Sequence, residues 1–406
     1  MMDRKAFFLL GFIMFLTMTG YGIVLPTLPF LAEDLNLTSV QMSSLIIVWA
    51  IAQMITSPIW GRLADKIGRK PVLMMGVLGF SIAFLLLIFA QSYWQLLLVR
   101  LIGAAISSGA HPAAFSMVAD QTNKEFRNDA IAKMGAVNGL GFLCGPAIGG
   151  IFSPLGVTVP FIIAGLLALV TLPFAHFYIH DKKIEENLEK ISVSSSNKET
   201  ISFWKSLLMV TKTGYWNHYT IILGLSIAAS SFFGLLGYFM IERFEATPIF
   251  VSLAFSAQAG ISVVVQFFLL KKCNDIWDED TITKIGLVIT TIGYCFISFA
   301  PFIWIAIFGC VLTGLGQSLV RPTTIAMLSK REEMGQGITM GLQNSMDSLG
   351  RVLGPLWGGW VFIFLASAPF ITSAIITALL IGVAYFTAYQ QKVKIPLTDQ
   401  KDTSNS

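Results

Sequence analysis

Charge is scarce in this chain. Only 12% of its 406 residues are Asp, Glu, Lys or Arg, whereas 55% are hydrophobic. A soluble domain carries about a quarter of its residues charged, so the composition excludes an ordinary water-bathed enzyme. Histidine and cysteine are thin as well, with four of each. Cys144, Cys273, Cys295 and Cys310 have neither metal-ligand nor disulfide spacing; they read as small core residues, three of them within helices. No G-x-x-x-x-G-K-[ST] phosphate loop occurs, and no His or Cys cluster has metal spacing. These absences speak against an ATP-driven pump, a metal centre and a membrane enzyme, and no cofactor is expected.

What the chain has instead is long apolar runs, with a mean hydropathy of +0.72. They fall at approximately 6–31, 41–60, 72–90, 94–119, 131–152, 158–179, 216–241, 248–270, 282–299, 302–328, 337–364 and 367–389. Each is long enough to cross ~30 Å of hydrocarbon at ~1.5 Å per residue. The first run follows Arg4 and Lys5, exceeds a signal-peptide core and lacks a small-residue cleavage site, so it is read as helix one. Basic residues mark loops that stay cytoplasmic. With both termini inside, all of the 27 basic residues but Arg100, Arg243, Arg321 and Arg351 fall in cytoplasmic segments. The net charge of +4 therefore reports topology and not nucleic-acid binding.

The chain also repeats itself. An offset of 209 carries Gly141, Gly145, Pro146, Gly149, Gly150, Pro160 and Phe161 onto Gly350, Gly354, Pro355, Gly358, Gly359, Pro369 and Phe370. An offset of 210 pairs His111-Pro112 with Arg321-Pro322 and Asp65 with Asp275. The expected fold is therefore all-α and transmembrane, with two pseudo-symmetric six-helix halves at 1–180 and 214–390. A polar cytoplasmic linker is expected at 181–213 and a disordered cytoplasmic tail at 391–406. Two such halves are the architecture of secondary transporters that hold substrate near the midplane.

Between the second and third runs lies Gly61-Arg62-Leu63-Ala64-Asp65-Lys66-Ile67-Gly68-Arg69-Lys70-Pro71, a dense charge cluster expected as a tight cytoplasmic hairpin. Its G-x-L-A-D-x-x-G-R-K-P pattern resembles the loop between helices two and three of the major facilitator superfamily, a twelve-helix fold. Helix five carries Gly135, Gly139 and the run Gly141 to Gly150, small residues that allow close helix approach in lipid. The same run is similar to the G-x-x-x-G-P-x-x-G-G signature of the drug:proton antiporters, which points to efflux. Gly22 to Pro29 in helix one and Gln53 with Ser57-Pro58 in helix two resemble the quinolone and multidrug efflux branch. The prolines by themselves say only that these helices bend or end.

Asp347 is the only carboxylate far from a helix end, roughly 15 Å from an inner end near Gly337. An ionisable group at such depth costs about 2.5–3.5 kcal/mol on the insertion scale, so it pairs or faces a wet cavity. Arg351 lies one turn on; the two form either a static salt bridge or a titrating site. Arg100 sits about 9 Å from an outer end near Trp94, where it either snorkels or, as the resemblance implies, belongs to the proton-coupling machinery beside a carboxylate. His111 and Arg321 complete the coupling candidates, with a satisfied core histidine as the other reading of His111.

Candidates for lining a substrate cavity are Tyr21, Gln53, Asn138, Phe232, Phe233 and Gln317. Efflux relatives commonly place acidic residues in helices seven and ten. Here those regions offer Ser231-Phe232-Phe233-Gly234 and Gln317, which disfavours a strongly cationic substrate. The resemblance further implies that Gly61, Asp65, Gly68, Arg69 and Asp120 latch the cytoplasmic side, Asp65 meeting the start of helix eleven near Gly335. The expected activity is proton-coupled export of hydrophobic small molecules by a monomer in the cytoplasmic membrane, its partners being protons, substrate and lipid. A symporter or facilitator for a sugar or other metabolite is the alternative within transport, and a transport-like sensor or assembly subunit the alternative outside it.

Overall fold

The computed structural model describes residues 4–123, 126–179, 216–329 and 336–394. The linker expected at 181–213 lies outside the described residues, as do Gly335 and everything after Lys394. Among the described residues the chain forms helices joined by short turns, and no strand. In order these are α1 (Arg4–Asp34), α2 (Ser39–Ile67), α3 (Arg69–Leu86), α4 (Tyr93–Ser107), α5 (Ala110–Gln121), α6 (Arg127–Phe152) and α7 (Val159–Tyr178). There follow α8 (Trp216–Phe244), α9 (Pro248–Val264), α10 (Leu270–Ile276), α11 (Glu279–Ser298), α12 (Ile303–Ser329), α13 (Gln336–Phe362) and α14 (Ala368–Lys394).

Among the described residues, eleven helical segments are long and apolar enough to cross a membrane. One joins α4 to α5, and another joins α9 to α10 through a π-helical turn at Val265–Leu269. The span expected at 337–364 is present as α13 but is less apolar, because Gln343, Asn344, Ser345, Asp347, Ser348 and Arg351 occupy its middle. All four cysteines lie in helices, one more than expected. Cys295 is exposed and not a core residue; it shares an outward face of α11 with Val288, Ile292 and Phe296.

Local chemistry sets the helix ends. Thr38 and Gln41 form a reciprocal capping box at the start of α2, the Thr38 N–H donating to Gln41 Oε1 at 2.9 Å. The charged stretch expected as a hairpin loop is almost wholly helical: α2 runs to Ile67, α3 begins at Arg69, and Gly68 alone makes the turn. Its φ of 98° is a conformation that side-chain-bearing residues avoid. Pro71 is tolerated because it sits in the first turn of α3, where backbone N–H groups have no helical acceptor. In the corresponding place before α11, Asp278 occupies the N-cap position and accepts a hydrogen bond from the Thr281 hydroxyl. That bond, ahead of any other influence, holds the Asp278 carboxyl below the usual aspartate range.

The chain divides into two compact units. One holds the described residues of Met1–Thr200 with Phe233–Ser256, the other those of Ile201–Phe232 with Ala257–Ser406. Residues 233–256 group with the first unit, although the repeat assigns them to the second half, because they pack on its helices. The Phe233 ring lies 6.0 Å from that of Phe142, Tyr238 donates to the Leu37 carbonyl, and a Cβ on Gly237 would stand 2.5 Å from Pro29 Cγ.

Within the first unit, α6 lies against α1 with nothing between the backbones. A Cβ on Gly145 would press on the Thr19 carbonyl and stand 2.5 Å from Gly22 Cα, and one on Gly141 would meet the Phe15 carbonyl. Gly149 is nearly as close, 3.2 Å from Pro26 Cγ. Within the second unit the same device recurs at the 209 offset. A Cβ on Gly350 would stand 2.5 Å from Ser226 Cβ, and one on Gly354 would press on the Ile227 carbonyl. The expected close-approach face of helix five is thus real at Gly141, Gly145 and Gly149. It does not extend to Gly135 and Gly139, where an added Cβ would meet nothing within 4 Å among the described residues.

Gly145→Leu should therefore force α6 off α1, lowering stability by about 1–3 kcal/mol and abolishing transport while the chain still inserts. Gly139→Leu should be tolerated. Thermal unfolding of the two purified variants checks the contrast, and equal behaviour would remove the packing argument.

Candidate functional site

The second unit carries an ion cluster centred on Asp347. The glycine contact at Gly350 brings α8 close enough for Ser226 to reach the carboxylate one turn away. Asp347 Oδ1 accepts from Ser226 Oγ at 2.6 Å and from an Arg321 terminal nitrogen at 2.7 Å. Its Oδ2 accepts from Arg351 Nε at 3.1 Å and from an Arg351 terminal nitrogen at 2.9 Å. Asp347 is 7% exposed, so all its charge is met by protein groups. The two arginine side chains are about half exposed, at 46% for Arg321 and 57% for Arg351. Two guanidiniums against one carboxylate leave a formal excess of one positive charge.

A recess opens beside this cluster, wholly within the second unit. Its walls include Leu225, Ser226 and Ala229 of α8, Gln317 and Arg321 of α12, and Gln343 of α13. Its enclosed space has room for little more than a water; an empty volume of about 380 Å³ is reached only with the open mouth included. Gln317 donates to the Tyr294 hydroxyl at 3.0 Å, and Tyr294 packs edge-on against Phe232. Phe232, expected to line a cavity, is instead completely buried between Tyr294 and Phe370 and serves the core. Phe233, its neighbour in sequence, groups with the first unit and stacks on Phe255.

The repeat-equivalent places in the first unit are electrically neutral. Asn138 stands where the 209 offset puts Asp347, and His111 where the 210 offset puts Arg321. Asn138 Oδ1 and His111 Nε2 are buried and make no hydrogen bond among the described residues. His111 lies 6.1 Å from the ring of Tyr21, which also packs edge-on against Trp49 and Phe80. Gln53 reaches the Tyr21 hydroxyl at 3.5 Å. Arg100 neither snorkels nor meets a carboxylate among the described residues. It is 4% exposed, with its guanidinium carbon 4.2 Å from the centre of the Trp49 ring and its Nε 3.5 Å from the Leu45 carbonyl. The indole face takes the place of an anion. The structure thus gathers Tyr21, Gln53, Arg100 and His111 in one unit, and Asp347, Arg351, Arg321 and Gln317 in the other.

At the α2–α3 turn, Arg69 bonds Asp120 at 2.6 Å and Asp65 at 3.5 Å, drawing together the ends of α2, α3 and α5. A Cβ added at Gly61 would meet nothing within 4 Å among the described residues. The contact of Asp65 with helix eleven is not described, since Gly335 falls outside the described residues. Sequence reasoning found Asp347 and its neighbour one turn on, but not Ser226 or the pairing with Arg321. The available signal was the repeat itself, which sets Arg321 and Asp347 on the counterparts of His111 and Asn138.

A bundle of membrane-spanning helices with glycine-packed repeats and a buried ion cluster beside a recess defines a multi-pass transporter of the cell membrane. The chain belongs to the Major Facilitator Superfamily, whose pattern matches residues 10–331 and 221–404. It is 27% identical over 371 residues to the quinolone resistance protein NorA of Staphylococcus aureus strain MSSA476, covering 90% of this chain and 92% of that protein. To multidrug resistance protein 2 of Bacillus subtilis strain 168 it is 26% identical over 392 residues, covering 96% of each. Among solved structures, a bacterial homolog of the human lysosomal transporter Spinster superposes with a TM-score of 0.75 at 12% identity, covering 95% of this chain and 97% of that one. The nucleoside transporter NupG superposes with a TM-score of 0.73 at 14% identity, covering 96% and 100%. Both establish the fold.

Removing Asp347 strands two cations, whereas removing either arginine leaves the carboxylate paired. Asp347→Asn should therefore cost the most stability, on the order of 2 kcal/mol, and Arg321→Gln or Arg351→Gln distinctly less. Thermal unfolding in one detergent ranks the three, and an equal loss in all would deny the shared-carboxylate arrangement.

Proposed function

We propose that this protein exports hydrophobic small molecules across the cytoplasmic membrane in exchange for protons, with both termini cytoplasmic and a monomer as the working unit. The observation that carries the reading is Asp347, a buried carboxylate held by Arg321, Arg351 and Ser226 at the edge of a largely apolar recess. A charge retained at such depth is expensive and typically functional. The resistance names of the relatives support drugs as the substrate class. A proton moving inward supplies about 2.3 kcal/mol per 100 mV from voltage alone, so no bound cofactor is required.

In this reading Asp65, Arg69 and Asp120, on the turn framed by Gly61 and Gly68, steady the cytoplasmic end in one of the alternating states. Asp347 carries the proton, with Arg351 and Arg321 tuning it. His111 and Arg100 are secondary candidates, since neither has a carboxylate beside it among the described residues.

Cells expressing the chain should accumulate less of a hydrophobic dye, and a protonophore should restore accumulation. Asp347→Asn should retain dye binding or exchange at equilibrium yet lose uphill, pH-driven efflux. Efflux that survives gradient collapse but stops on ATP depletion would refute proton coupling. Full pH-driven efflux by the variant would move the proton to another residue.

A further inference from the structure

We propose that Arg321 and Arg351 bind one small monovalent anion, a halide or a carboxylate, on the edges that they turn away from Asp347. The site is independent of the export reading, since it follows from charge and hydrogen-bond capacity alone.

The Asp347 carboxylate is already full. Its two oxygens offer about four acceptor positions, and Ser226 Oγ, one Arg321 nitrogen and two Arg351 nitrogens occupy them. The guanidiniums are not full. Each carries five N–H donors, yet Arg321 spends one terminal nitrogen on Asp347, and Arg351 spends Nε and one terminal nitrogen. Among the described residues no further acceptor meets either side chain, and no second carboxylate stands at ion-pair distance.

Exposure shows where the spare donors lie. Asp347 is buried, whereas the two arginine side chains keep about half of their surface open. They grip opposite oxygens, Arg321 from α12 and Arg351 from α13, so a single carboxylate separates them. Both sit well inside their helices. A net charge at such depth is too costly to leave against hydrocarbon, so the open edges face water and dissolved anions have a path to them.

Charge arithmetic sets the ligand class. Two guanidiniums and one carboxylate leave a formal excess of one positive charge, which one monovalent anion neutralises. A cation would be repelled, and an uncharged molecule would leave the excess unmet. Arginine N–H groups with an ionised acceptor make hydrogen bonds roughly twice as strong as neutral ones. The charged groups facing Asp347 are Arg321 from α12 and Arg351 on α13 itself, and α8 contributes only the Ser226 hydroxyl. Loss of the Asp347 charge therefore raises the excess to two and frees further donors. Proton and anion then strengthen each other's binding by the same factor.

The test is chloride NMR line broadening on the full chain, purified in an uncharged maltoside detergent and corrected against empty micelles. The wild type should show saturable broadening at chloride concentrations up to about 0.15 M, and Arg321→Gln and Arg351→Gln should each lose it. Arg243→Gln, which removes an exposed cation elsewhere, should keep it. Asp347→Asn should bind chloride at least ~10-fold more tightly than the wild type, and chloride should recover part of that variant's lost thermal stability. Bromide and acetate, added at fixed chloride, should both narrow the wild-type line. The one that acts at the lower concentration tells a halide site from a carboxylate site, and either order upholds the proposal. No saturable broadening in the wild type, broadening that survives in both arginine variants, or an Asp347→Asn protein that binds no tighter each overturns it. Loss of the broadening in Arg243→Gln does so too, by reducing the effect to general surface charge. Where Asp347→Asn does not survive purification, the contrast between the wild type and the two arginine variants decides.

Discussion

A carboxylate removed from water must find its charge partners inside the protein, and the second unit is arranged around meeting that demand at Asp347. The requirement reaches outward through the structure. Ser226 can donate to the carboxylate only because α8 and α13 approach at Gly350 and Gly354, where any side chain would collide with the facing backbone. Arg321 comes from the middle of α12, immediately before Pro322, whose ring cannot donate to the carbonyl four residues earlier. The same polarity keeps α13 from reading as a membrane span by composition, unlike the other long helices among the described residues. Its hydrophilic middle is sheltered by neighbours and not by its own sequence.

The two units share their packing and differ in their charge. Glycines hold α6 on α1 and α13 on α8 at equivalent positions, so the scaffold has been kept in both halves. At the site the halves diverge: Asp347 and Arg321 correspond in the repeat to Asn138 and His111. Arg100, the deep cation of the first unit, rests on the Trp49 ring. An aromatic face satisfies a cation without supplying a group that can take up a proton near neutral pH. The buried carboxylate with its two arginines therefore lies in one half of a duplicated frame.

Much of the fold was legible in the sequence, because long apolar runs, basic loops and a fixed glycine offset are properties of single segments. The helices run a few residues beyond the apolar windows, since caps such as Thr38 and turns such as Gly68, and not hydropathy, decide where a helix stops. The site was legible only where it was local. Asp347 stood out as the lone deep carboxylate and Arg351 as its neighbour one helical turn away. Ser226, 121 residues distant, and Arg321, 26 residues distant, could be joined to it only by tertiary packing. Phe232 was misplaced for a related reason: adjacent aromatics on a helix point apart, and only the structure shows that one enters the core of the second unit while the other meets Phe142.

If the protein exchanges substrate for protons as proposed, substrate and proton exclude each other through Asp347. Purified protein in weakly buffered detergent, held just below the midpoint of its own titration, should release protons when an uncharged transported substrate is added. The release should be absent in Asp347→Asn. Proton uptake on adding the substrate would contradict the account and favour a carrier that moves the two together.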